Sequence, residues 1–214
     1  MDRLVNWTAC VNVRDLGGLK TGSDTTRWRS IIRSDNLSRL DQHGREQLLN
    51  YGIRTVIDLR DRRELEKYPY AFTSVELGAT IVNAPLISDE NWKWYAAQGS
   101  AATGYVEIPR LSAKNIVDAL RAVAAAPSGA VVVHCHEGRE RTGVIAAILL
   151  ELADVSDPTI ADDWVASLPG SLKPEDILAV LDYMRQNSGS VTAFLLEAGL
   201  RRREIDALRE RLVD

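Results

Sequence analysis

The stretch that most constrains this chain is Val131-Val132-Val133-His134-Cys135-His136-Glu137-Gly138-Arg139-Glu140-Arg141-Thr142-Gly143, followed by apolar residues 144–150. Three valines before His134 predict a buried strand, and residues 142–152, with little polar interruption, predict a buried helix. The loop between them must reverse the chain, and it holds a cysteine and an arginine six positions apart. A loop leading from a strand into a helix N-terminus gathers unpaired backbone N–H groups around one point, and the helix dipole adds to their pull on an anion. Gly138 gives the backbone the freedom such a turn needs. Arg141 adds a planar guanidinium that can hold two oxygens of a phosphate at once. The same positive field favours the thiolate at Cys135, and Thr142 offers a hydroxyl to the sulfur. The loop therefore reads as a phosphate cradle with a nucleophile at its base.

This segment resembles the signature of the cysteine-dependent protein tyrosine phosphatase superfamily, H-C-x-x-G-x-x-R-[ST]-G. His134, Cys135, Gly138, Arg141, Thr142 and Gly143 meet every fixed position. The bland alternative is a structural cysteine at the end of a core strand, which would need neither Gly138 nor Arg141 beside it. Asn12-Val13-Arg14-Asp15-Leu16-Gly17-Gly18 is similar to an N-x-R-D-[LV]-G-G element of bacterial and fungal tyrosine phosphatases. That likeness implies that Arg14 or Asp15 supports the cradle; taken alone, the stretch is a short strand ending in a turn. Ile57-Asp58-Leu59-Arg60 looks like the same group, as do Ser188-Gly189-Ser190-Val191 and Gly199-Leu200. In that group the loop reads H-C-x-x-G-K-D-R-T-G. Here Arg139 replaces the Lys and Glu140 the Asp, and Glu137 adds an acid.

The resemblance implies phosphomonoester hydrolysis through a cysteinyl-phosphate intermediate. Cys135 would attack phosphorus while Arg141 and the backbone of His136, Glu137, Gly138, Arg139 and Glu140 hold the equatorial oxygens. His134 and Thr142 would steady the thiolate, and Asp58 would stand behind with Arg14 and Asp15. No metal and no cofactor is expected. The substrates implied are phosphotyrosine proteins or, alternatively, phosphoinositides, with inorganic phosphate or vanadate as ligands of the cradle. A non-catalytic module that binds phosphorylated partners is disfavoured by retention of both Cys135 and Arg141. A rhodanese-like transferase would carry its arginine where Glu140 stands. Expulsion of an alkoxide or phenoxide needs a proton donor, and three carboxylates compete: Glu140, Asp89 and Asp58.

Around the loop, residues 31–35, 53–59 and 80–86 read as strands, and residues 37–51 as a helix started by Ser38 or Asp41 and ended by Gly52. Residues 60–66 open a polar turn. Residues 89–108, which include Gly99 and Gly104, lack clean periodicity and suggest a functional loop or lid. Residues 112–126 read as an amphipathic helix. From about residue 155 the chain reads as helical throughout, with segments at 159–167, 174–184, 191–198 and 202–212. This order predicts a single α/β domain over residues 1–214, with a central, mainly parallel sheet flanked by helices and the Cys135 loop at the carboxyl end of a middle strand.

Charge narrows the partners. The chain has 26 basic and 30 acidic residues, a net charge of −4, which argues against nucleic-acid binding by bulk charge. Two cysteines make no disulfide framework, no apolar run approaches the ~18 residues of a membrane span, and the first residues lack a secretory pattern. A bacterial, cytoplasmic protein without a membrane span is the expectation.

Overall fold

The computed structural model describes residues 2–88, 91 and 103–213. Asp89, with most of the suggested lid up to residue 102, lies outside the described residues. Within them five strands form one sheet in the order β1-β2-β5-β3-β4, where β1 is Arg14–Asp15, β2 Ile31–Ser34, β3 Ile53–Asp58, β4 Thr80–Asn83 and β5 Ala130–His134. β1 pairs antiparallel with β2, and every other pairing is parallel. The architecture is the α/β sheet that the sequence predicts, with β5 in the middle.

Side-chain alternation explains the position of β5. Val131 and Val133 join Ile31 and Ile57 in the larger apolar cluster, while Ala130 and Val132 join Ile32, Val56, Trp7 and Leu48 in a smaller one on the opposite face. Each valine or isoleucine so buried contributes about 1.5–3 kcal/mol. A slip of one residue would swap the two faces, so packing sets the register. That register places Ser34 beside His134, His134 beside Asp58 and Asp58 beside Asn83. Four parallel strands thus end level, and the loops that leave them meet at one edge of the sheet.

The helix Glu140–Leu152 follows the loop and is buried except at Glu140, Arg141 and Glu151. Its apolar surface is too wide for the sheet alone to cover. The helices Asp157–Val165, Pro174–Ser188, Val191–Glu197 and Arg202–Leu212 pack around it and complete the larger cluster. Gly143 permits the closest of these contacts: a Cβ there would stand 2.5 Å from the Trp164 ring.

Several boundaries differ from the sequence expectation. The segment 37–51 is a 3-10 turn, Leu37–Arg39, followed by the helix Gln42–Tyr51, which Asp41 caps through Gly44 N at 2.7 Å. Leu40 turns extended between them and drops into the core. The helix expected from residue 112 does start there, at a kink where Ser112 is non-helical, and runs to Ala124; a further helical stretch from Thr103, containing Pro109, precedes it. Tyr105 and Ile108 are buried against the core, so tertiary packing extends the helix through a stretch without clear periodicity. The next helix starts at Asp157 with Ser156 as cap and Pro158 in its first turn.

Candidate active site

Cys135 leaves the end of β5 and is 1% exposed. Its sulfur receives the Gly138 amide at 3.3 Å. The amides of His136, Glu137 and Arg139 donate to nothing among the described residues. Loop amides without a protein partner, next to a sulfur and at a helix N-terminus, make an anion site. Gly138 is required twice over: its φ is +68°, and a Cβ would stand 2.7 Å from Asp35 N and Ser34 O.

Arg141 sits in the first turn of the signature helix and pairs end-on with Glu64. Nη2 donates to Oε1 at 2.8 Å and Nη1 donates to Oε2. Glu64 belongs to the helix Arg62–Lys67, where it and Asp61 form a reciprocal cap, with distances of 2.8 and 3.2 Å. Burial opposes the Glu64 charge, but Arg141 outweighs it and holds the carboxyl below its usual range. The end-on pair leaves Nε–H and the remaining Nη hydrogens of Arg141 for an anion.

His134 is wholly buried. Its Nδ1 lies 3.1 Å from the Cys135 carbonyl, which can only accept, so Nδ1 carries the proton. Burial pushes the ring toward its neutral form, and Nε2 then accepts from Tyr70, whose hydroxyl lies 2.6 Å away. The same hydroxyl stands 2.9 Å from Asp58 Oδ2, so one proton serves two acceptors. Asp58 is itself clamped by Arg60, through Nε at 3.0 Å and Nη2 at 2.8 Å.

A family model described as "Tyrosine phosphatase family" matches residues 5–171. The chain belongs to that family. A tyrosine-protein phosphatase of Nostoc commune is 28% identical over 158 residues, which cover 69% of this chain and 52% of that protein. The triple specificity protein phosphatase PtpB of Mycobacterium tuberculosis is 26% identical over 185 residues, covering 73% of this chain and 66% of that one. The matched part thus spans about half to two thirds of these relatives' length. Among solved structures, the Siw14 catalytic core shares the fold, with a TM-score of 0.51 at 12% identity over 93% of this chain and 98% of that one.

Glu140 stands half-buried in the first helical turn, and its carboxyl makes no hydrogen bond or ion pair among the described residues. Arg139 pairs with Glu137 at 2.9 Å and Arg141 with Glu64, so neither makes an ion pair with Glu140, although the Glu140 charge still acts on the Arg141 guanidinium. Asp58 is held as a carboxylate behind the loop: burial opposes its charge, but the His134 ring and Arg60 outweigh burial and keep it below its usual range. Arg14 reaches the loop through Asn12, donating to Asn12 Oδ1 at 3.0 Å, and through Asp163, which it shares with Arg33. Asp15 faces away, accepting from Gly17, Arg29 and Tyr51. Thr142 is a correction: its hydroxyl is buried without a partner among the described residues, and it does not reach the sulfur. His136 stacks on Tyr68 with ring centres 4.7 Å apart at the rim.

Glu64, Tyr70, Asn36, Arg33 and Asp163 are residues of the site that the sequence does not mark, and it marks Asn12 only as the head of the N-x-R-D-L-G-G element. For Glu64 a signal existed, since Asp61-x-x-Glu64 after a strand is a capping-box pattern. It announces a helix start, not the partner that start delivers.

Proposed function

We propose that this protein hydrolyses phosphate monoesters, with phosphotyrosine proteins as the substrate class, through a cysteinyl-phosphate intermediate. The supporting observation is the convergence of the Cys135 sulfur, unpaired loop amides and the Glu64-held Arg141 guanidinium at one point. The sulfur attacks phosphorus, the P–O bond breaks, and the leaving oxygen takes a proton from Glu140. Water, giving its proton back to Glu140, then attacks phosphorus; the P–S bond breaks, inorganic phosphate departs and the thiolate returns. Amides and Arg141 stabilise the equatorial oxygens, each donor contributing about 2.7–4 kcal/mol in the transition state.

Two observations favour an aromatic leaving group over a phosphoinositide. A cavity of about 300 Å³ beside the loop is lined by Asp61, Arg63, Glu64, Lys67, Tyr68 and His136, and its two rings offer a face to a phenyl group. Arg139, which stands in place of the related loop's Lys, is already engaged by Glu137. The names of the two curated relatives support the activity. Both cysteines are unbridged, and a thiolate nucleophile survives in a reducing compartment, in keeping with a bacterial cytoplasm.

The test is phosphate release from aryl phosphates, phosphotyrosine peptides and phosphoinositide vesicles, in chelator, by wild type and Cys135→Ser. Wild type should turn over and the variant should not, while still binding vanadate-free substrate. Turnover near the wild-type level in Cys135→Ser would sink the mechanism, and a preference for the vesicles would move the substrate class to lipids. For the acid, Glu140→Gln and Asp89→Asn are compared on esters of rising leaving-group basicity. Loss in Glu140→Gln should steepen along the series; a gradient in Asp89→Asn instead would transfer the role.

A further inference from the structure

The loop carbonyls are gripped from behind, one after another. His134 Nδ1 donates to the Cys135 carbonyl at 3.1 Å and Asn36 N to that of His136 at 3.2 Å. Asn12 Nδ2 donates to both Glu137 O and Gly138 O at 3.1 Å, and Arg33 Nη2 also donates to Gly138 O at 2.9 Å. In a trans peptide the C=O and the following N–H point in opposite directions across one rigid plane. A carbonyl held outward therefore turns the next amide inward. The grip on Glu137 O aims Gly138 N–H, which is the amide found on the sulfur, and the grip on Gly138 O aims Arg139 N–H.

We propose that Asn12 and Arg33 are positioning residues that preset the anion cradle before substrate arrives; this rests on the loop being the phosphate site. Neither touches the reacting atoms. Both are buried and anchored. Asn12 accepts Arg14 through Oδ1 and is held at its own amide by Asp35, while Arg33 Nη1 binds Asp163 Oδ2 at 2.5 Å. Arg14 in turn donates to Ser167 Oγ at 2.8 Å and to the backbone of Asp163 and Ala166. One rigid body thus carries both donors. Amides that need not reorient when charge develops are what makes such a cradle effective.

The two residues separate experimentally. Asn12→Asp keeps the size and the acceptor for Arg14 but places an acceptor against two carbonyls. Arg33→Lys keeps a charge for Asp163 but has one ammonium for two sites. Ser167→Ala loosens the same cluster without touching the loop. Cys10 provides an internal reference thiol, since burial first and Asp35 second push it up to about 12. We expect Asn12→Asp to slow iodoacetate alkylation of Cys135 at pH 6 about tenfold relative to wild type and to weaken its protection by inorganic phosphate. Its kcat on an aryl phosphate should fall about 100-fold, with KM changing much less. Arg33→Lys should do the same to a smaller degree, and Ser167→Ala should lower Tm while leaving alkylation and protection alone. Folded Asn12→Asp and Arg33→Lys with alkylation and protection within about twofold of wild type would overturn the proposal. So would equal losses in Ser167→Ala. Alkylation and phosphate protection need no turnover, so they test the grip even if no ester proves to be a substrate.

Discussion

Asp58 and Asp163 are both buried carboxylates behind the Cys135 loop, one reached through β3 and the other through β2, the two strands that flank β5. Their partners differ. Asp58 meets one guanidinium, from Arg60, and one phenol, from Tyr70, and through them it reaches His134 and the first loop carbonyl. Asp163 meets three guanidiniums, from Arg3, Arg14 and Arg33, and through the last it reaches the carbonyl of Gly138. Near the cysteine the loop is set by a neutral ring and shared protons. Near the arginine end it is set by excess positive charge. The first arrangement fixes a tautomer, and the second fixes a backbone direction while adding to the field that attracts an anion.

The comparison predicts unequal costs. Asp163→Ala leaves Arg33 and Arg14 buried without a carboxylate and should destabilise the fold by about 3–5 kcal/mol in urea titration. Asp58→Ala should cost about 2 kcal/mol, because Arg60 retains the Asn36 side chain and the Tyr68 carbonyl as acceptors. Equal costs would mean that the arginine excess is neutralised elsewhere.

Acid should separate the two sides next. Burial opposes the Asp163 charge, but its three arginines outweigh burial and bring the carboxyl down to about 2. An Asp depressed in the folded state contributes stability that is complete above the unfolded value of about 4 and is lost as pH falls toward 2, about 2 kcal/mol in all. His134 has the other window. Its folded form resists protonation, so the unfolded chain takes up the proton first and stability falls as pH drops below about 6.5. Stability measured from pH 7 to pH 2 should therefore decline in two stages, with the upper stage absent in His134→Gln. A single stage below pH 4 in the wild type would remove His134 from the account.

The smallest effect belongs to the shared proton. Tyr70→Phe should cost about 1 kcal/mol, since Asp58 keeps Arg60 and only His134 Nε2 loses its donor. Aryl phosphate turnover should fall only a few-fold, because the Cys135 carbonyl retains Nδ1. A loss as large as that of Asp163→Ala would show that the phenol, not the carboxylate, organises this side.

Residues 131–143 declared both the chemistry and its place because every part of a strand-loop-helix anion site is local. The valines bury, the glycine turns, and the cysteine and arginine converge within one turn of chain. The parallel sheet followed from the spacing of apolar runs, and the helical C-terminal part from its periodicity. What holds the loop is not local. Glu64 lies 77 positions from Arg141, Arg33 lies 105 from Gly138, and Asn12 lies 125 from Glu137. In sequence Glu64 sits in an ordinary polar stretch, Arg33 in a strand and Asn12 at the head of the N-x-R-D-L-G-G element, and none of the three shows which loop group it will meet. They become site residues only because alternating burial sets the register in which β2, β5 and β3 end level, and that register brings the loops they carry to one edge. The extended helix from Thr103 has the same origin, since contacts with the core at Tyr105 and Ile108 decide it where periodicity does not. Local patterns state what a segment can form; only the packed sheet selects which distant carboxylates, amides and guanidiniums it will meet.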